Sequence, residues 1–153
     1  MSRKSGLGTP NFKGQPRTKP ISEQSKPAYK PPSDEHFLPL GRKIEDMMII
    51  ASNAVDQMPR SQKPIAGKVI ETFMWDLLDL VTKAGRGFYK AKTLEDAIGR
   101  LDLLRSAVRL AKARRIISPS IYKKWAEANN DIGSDLGGWY RQDKEAKKSK
   151  TNK

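Results

Sequence analysis

Four stretches of this chain repeat apolar residues at the three- and four-residue spacing of a helix face, with polar residues on the other sides. In the first, from about Leu38 to Gln57, Leu40, Ile44, Met47, Met48, Ala51, Val55 and Met58 share one stripe, and Ile49 and Ile50 fall off it. Met58-Pro59-Arg60-Ser61 should end this helix, because a proline disfavours helical backbone in the residue before it. The second runs from near Pro64 to Lys83 or Ala84, with Gly85 and Gly87 as stop signals. It presents Val69, Ile70, Phe73, Met74, Leu77, Leu78, Leu80 and Val81 on a broad inner face. Trp75 does not belong to that face. It lies between Glu71 and Asp79 on the polar side, where a large aromatic is unusual unless another surface covers it.

Thr93 is placed to cap the third helix, with Glu95 and Asp96 favourably near its positive N-terminal end. Leu94, Ala97, Ile98, Leu101, Leu104, Val108 and Ala111 make its main stripe, and Leu103, Leu110 and Ile117 make a second seam on another side. Two seams suggest two neighbours: the bundle itself and, together with Ile49 and Trp75, a subunit interface. The competing reading is a central helix buried on both sides. The fourth helix starts at Ser118, whose side chain can cap the first turn, followed by Pro119 at a position where its missing N–H costs nothing. Ile121, Tyr122, Trp125, Ile132, Leu136 and the small Gly133 share its inner face. Gly133 costs roughly 1 kcal/mol against Ala inside a helix, which suggests a close helix approach. Gly137 and Gly138 read as its stop, with Trp139 folding back.

Short connections between these helices favour antiparallel neighbours, so the expected fold is all-α, an up-down-up-down four-helix bundle over residues 36–140. Residues 1–35 contain six prolines and hardly a buried-type side chain. Burial cannot offset their ordering entropy, so they read as a disordered, basic Pro/Lys-rich extension. Residues 141–153 read as a disordered Lys-rich tail. His36, the lone histidine, reads as a surface residue.

Charge narrows the functional classes. The chain carries 30 Lys and Arg against 17 Asp and Glu, a net charge of +13. The excess is +4 in residues 1–35, +5 in residues 36–140 and +4 in residues 141–153. Such a balance favours a polyanionic partner, nucleic acid first and an anionic membrane surface second; a basic surface with no dedicated ligand is the alternative. Arg105, Arg109, Lys112, Arg114 and Arg115 put five cations in eleven residues at the end of the third helix, with only Asp102 nearby. Although the helix dipole accounts for part of this, the run is the strongest phosphate-binding candidate in the body of the chain. Lys83, Arg86, Lys90 and Lys92, interleaved with Phe88, Tyr89 and two glycines, form a second candidate, which also reads as an ordinary connection.

Catalytic chemistry finds little support. Without cysteine there is no thiol nucleophile or Cys-ligated metal, and a single histidine makes a zinc site or a Ser-His-Asp arrangement improbable. Gly85-Arg86-Gly87 lacks the further glycine and the preceding strand of a dinucleotide site. No cofactor is expected. No apolar run approaches the roughly 20 residues of a membrane span, and the N-terminus lacks the apolar core of a secretory signal; a cytoplasmic protein is expected.

The segment Asp131 to Trp139, D-I-G-S-D-L-G-G-W, follows a Ser-started helix. With Met58-Pro59-Arg60-Ser61 and the Leu- and Arg-rich run Leu101 to Ile116, it resembles the four-helix-bundle family that contains the accessory variability determinant of diversity-generating retroelements. A sister group is encoded by intervening sequences in bacterial large-subunit ribosomal RNA genes. The resemblance spans about Phe37 to Gln142. Asp131 stands where the family usually has Glu, and Ser134 where a basic residue is common. The resemblance implies a cyclic homopentamer with a basic surface or channel. It implies a non-catalytic accessory role, binding the element's reverse transcriptase and template RNA for mutagenic complementary-DNA synthesis. An intervening-sequence protein, or a structural oligomer without nucleic acid, is the alternative.

Overall fold

The structure, a computed structural model, describes residues 37–87 and 89–152. The N-terminal extension, His36 and Phe88 lie outside the described residues. Four helices carry the fold: α1 (Phe37–Gln57), α2 (Lys68–Gly85), α3 (Lys90–Ala113) and α4 (Pro119–Thr151). A single widened turn, Lys63–Gly67, leads into α2, with the Gln62 carbonyl accepting from the N–H groups of Ile65, Ala66 and Gly67 at 3.1, 2.8 and 3.3 Å. Helix α1 packs against α2 and α4, and α3 packs against the same two, which is the up-down-up-down bundle the apolar stripes predict.

The core is assembled from those stripes. Leu40, Ile44, Met47 and Ala51 of α1 meet Ile70, Met74, Leu77 and Val81 of α2, Leu94, Leu101, Leu104 and Val108 of α3, and Trp125, Ile132 and Leu136 of α4 in one cluster. Glycines permit close contact at Gly67, Gly85 and Gly133. A Cβ on Gly67 would lie 2.9 Å from Val55 Cγ1, so glycine lets the start of α2 approach α1. A Cβ on Gly133 would fall on the Arg105 guanidinium. Gly133 therefore makes room for a side chain reaching across from α3, rather than for the helix backbone itself.

Three expectations change. Ile117 is buried in the core at 6 % exposure, because the α3–α4 turn folds it inward, so it leaves the proposed subunit interface. Helix α3 begins before Thr93, at Lys90, so Thr93 is a buried residue inside the helix instead of its cap. Helix α4 runs through Gly137 and Gly138 to Thr151, so the segment expected to be a disordered tail is helical as far as Thr151. Packing explains the continuation: Trp139 is 2 % exposed in the core, and the Tyr140 hydroxyl donates to Glu95 of α3. Two interior glycines cost about 2 kcal/mol together, which burial of one large aromatic side chain offsets.

On the opposite side of α4, Lys43 of α1 donates to Asp135 at 2.7 Å and Asp131 at 3.1 Å. These bonds, Asp135 first, hold the Lys43 ammonium above its ordinary value near 10.5. Because the folded value is raised, the stabilisation is complete below pH 10.5 and is lost as pH rises through the raised value. The groups are more than a third exposed, so Asp135→Asn should cost less than about 1 kcal/mol near neutrality. Thermal melts should show the gap between wild type and this variant closing at alkaline pH; a gap that persists there would show that the ammonium charge is not its source.

Candidate nucleic-acid interface

The five cations predicted at the end of α3 do not form one surface. Arg105 turns toward α4, where its Nη2 donates to the Asn129 carbonyl at 3.1 Å and its Nη1 pairs with Asp102 at 3.0 Å. Its Nε is buried without a partner. Arg105 is thus committed to the α3–α4 contact that Gly133 accommodates. Arg109 lies on the exposed side and donates to the Ser106 hydroxyl at 3.0 Å. Lys112 sits 4.3 Å from the ring centre of Tyr122, bracing the start of α4.

Arg114 and Arg115 belong to a different neighbourhood. Alternating helix directions bring the α1–α2 turn and the α3–α4 turn to the same end of the bundle, and Arg114 Nη2 reaches Gln62 Oε1 between them at 3.4 Å. Residues 58–68 and 112–124, which form this end, contain Arg60, Lys63, Lys68, Lys112, Arg114, Arg115, Lys123 and Lys124 and no carboxylate. Arg60, Lys68, Arg115, Lys123 and Lys124 are exposed and Lys63 partly so, and among the described residues none of the six is engaged by an acidic side chain. Neighbouring cations without counter-charge repel one another, so this end holds unneutralised positive potential. Sequence reading found only the α3 part of it. The other cations lie about 50 residues away or on a separate helix, and only the antiparallel packing joins them.

One residue here is held in an uncommon backbone conformation. Helix α3 closes with two reverse bonds, Ile116 N–H to the Ala111 carbonyl and Arg115 N–H to the Lys112 carbonyl, both 2.9 Å. This closure requires left-handed backbone at Arg115, whose φ is 59°. Glycine usually fills that position, and a residue with a Cβ costs roughly 1–2 kcal/mol there.

The second candidate set lies at the opposite end, around the α2–α3 turn. Residues 79–96 carry four cations and three carboxylates. Lys83 pairs with Asp79 at 2.7 Å, Lys92 with Asp96 at 2.9 Å, and Lys90 lies 5.3 Å from the centre of the Trp139 ring. Arg86 is exposed at the C-terminal end of α2. Residues 79–96 are thus close to charge balance, although α4 carries the basic segment from Arg141 to Lys150 past this end.

The apolar residues off the main stripes divide in two. Ile49 and Trp75, 62 % and 63 % exposed, line an open groove of about 350 Å³ between α1 and α2. Leu110, 58 % exposed, lies with Ile65 and Val69 between α2 and α3, and Leu103, 50 % exposed, is two helical turns away on the same side. The two patches occupy opposite flanks of α2. Among the described residues no helix is long and apolar enough to cross a membrane.

Fold and charge together define a small, strongly basic four-helix-bundle protein. The chain belongs to the bAvd-like family, whose model matches residues 38–142 and so covers all but the end of the helical domain. This is the family of the accessory variability determinant, with an accessory role in diversity-generating retroelements, as the Asp131–Trp139 and Met58–Ser61 segments imply. Comparison with curated proteins and with solved structures gives no match.

Proposed function

We propose that this protein is a non-catalytic accessory factor that binds the reverse transcriptase and the template RNA of its retroelement and supports mutagenic complementary-DNA synthesis. The observation that carries the reading is the unneutralised positive end of a bundle that belongs to the accessory family. Phosphate neutralisation is what such a surface does best. The protein works as a homo-oligomer in the cytoplasm, a pentamer if it follows the family resemblance. Ile49 and Trp75 of one protomer meet Leu103 and Leu110 of the next. Two different patches on opposite flanks of α2 suit such a head-to-tail contact, which closes into a ring. In this assignment residues 36–140 are the working domain, and the basic segments on either side add charge.

Co-purification tests the reading. Tagged protein co-expressed with its reverse transcriptase and transcribed repeat RNA should emerge as a defined complex of all three at moderate salt. Protein that emerges alone and free of RNA would overturn the proposal in favour of a structural oligomer.

A further inference from the structure

We infer that the two turns closing one end of the bundle form a single RNA-backbone site, made chiefly by Arg60, Lys63, Arg115, Lys123 and Lys124. The inference rests on the accessory reading above, in which RNA is a partner, and adds where on the protein that RNA lies.

Three observations converge. The first is charge without counter-charge: every charged side chain contributed by residues 58–68 and 112–124 is a cation, the nearest carboxylates along the chain being Asp56, Glu71 and Glu127. Elsewhere on the described surface several cations are tied to carboxylates, as at Lys43 with Asp131 and Asp135, Lys83 with Asp79, Lys92 with Asp96 and Arg100 with Asp76. The second is connection. The Arg114 guanidinium reaches Gln62 Oε1, and Ile65 and Ala66 share one groove with Leu110, Arg114 and Ile116, so the cations of the two turns lie side by side. The third is the left-handed Arg115. An exposed arginine, where glycine would be less strained, stands in this conformation with no acidic partner among the described residues, so the strain goes with a side chain open to a ligand.

A nucleic-acid backbone fits this surface better than an acidic protein segment does. The cations are exposed and spread over two turns and the start of α4, and no exposed aromatic lies among them to anchor a protein side chain: Tyr122 is half-buried beneath Lys112. Protein hot spots are desolvated pockets around aromatic or Arg anchors, whereas a continuous line of phosphates is matched by separated, solvated cations.

The test uses full-length protein and a fluorescein-labelled stem-loop RNA transcript, with affinity followed by anisotropy as salt is raised from about 50 to about 200 mM. In R60Q/R115Q/K123Q/K124Q, four lost phosphate contacts should reduce the slope of log affinity on log salt by about 3 and weaken binding by roughly ten- to a hundredfold. The variant R42Q/R141Q/K148Q/K150Q removes the same charge elsewhere and should lose threefold or less, by the same electrostatic argument. Arg115→Gly separates function from folding: its Tm should rise by about 3 °C while RNA affinity falls. If both quadruple variants lose affinity equally, net charge alone is at work and the site is wrong. Retained RNA binding with loss of reverse transcriptase co-purification would assign the end to the protein partner and likewise overturn the inference. A wild-type protein that binds no RNA at all would instead remove the accessory reading on which the site depends.

Discussion

Trp125→Ala is expected to lower the unfolding free energy by about 3–5 kcal/mol, the usual cost of emptying a buried tryptophan site. Trp125 is 0 % exposed and one of the largest fully buried side chains of the core. It lies two turns from the Ser118 cap, on the face of α4 that also carries Asn129, Ile132 and Leu136 into the interior. Since a domain of this size has only about 5–15 kcal/mol in hand, the loss is a large fraction of the whole. At roughly 4 °C per kcal/mol, Tm should fall by about 12–20 °C. The indole N–H is not the reason for the size of the effect. Trp125 Nε1 is buried without a hydrogen-bond partner, so the folded state already carries the desolvation cost of an unmet donor, about 1–3 kcal/mol. Trp125→Phe removes that donor and keeps most of the apolar volume, and the two changes oppose each other. Its expected cost is about 1 kcal/mol or less. Calorimetric melts of both variants check the argument: equal losses for Phe and Ala would mean that the Nε1–H finds a partner in solution and contributes to stability.

The features legible in the sequence and those that escaped it differ in range. Apolar periodicity is a local signal, and it located the inner faces of all four helices and excluded the exposed Ile49 and Trp75, but it also placed Val69 inside, where the structure leaves it 45 % exposed at the α2–α3 flank. Ser118 accepts from the Ile121 N–H at 3.3 Å, the cap that Ser-Pro predicts. Turn chemistry was read correctly where it was decisive and incorrectly where packing overrode it. Gly137-Gly138 is a stop signal by propensity, yet neither glycine has anything within 4 Å of where a Cβ would stand, and the burial of Trp139 one residue later carries the helix past them. Tertiary context likewise decided the two seven-residue neighbours Leu110 and Ile117, of which the first stays at the surface and the second enters the core. The charged surface was the least legible part. Spacing along α3 grouped Arg105 with Arg109 and Arg114, whereas the fold sends Arg105 toward Asn129 and gives Arg114 a neighbour, Gln62, in the α1–α2 turn. No local pattern carries that information, because those partners are chosen by which helix ends lie together.

Trp75→Glu should dissociate the assembly of the protein without unfolding the protomer. Trp75 stands 63 % exposed over the α1–α2 groove with Ile49, Met48 and Met74, on a helix whose buried face is already complete with Ile70, Met74, Leu77 and Val81. Removing it therefore takes nothing from the core, and the monomer should fold with a Tm within a few degrees of wild type. If the groove receives Leu103 and Leu110 of a neighbouring protomer, the indole is the kind of centrally placed aromatic whose loss costs about 2–4 kcal/mol per interface. A carboxylate left facing the apolar patch adds a desolvation cost to that loss. In a closed ring every protomer contributes one such interface, so the penalty is incurred as many times as there are protomers, and a ring held by modest contacts should dissociate completely. Light scattering coupled to size-exclusion chromatography should find the wild type as a multiple of 17.2 kDa and Trp75→Glu at the monomer mass. Leu110→Glu, on the other flank of α2, should give the same result, and mixing the two variants should restore at most dimers, because each retains one intact patch. A Trp75→Glu protein that keeps its wild-type mass would exclude the α1–α2 groove from the subunit contact and leave its exposed indole to a different partner.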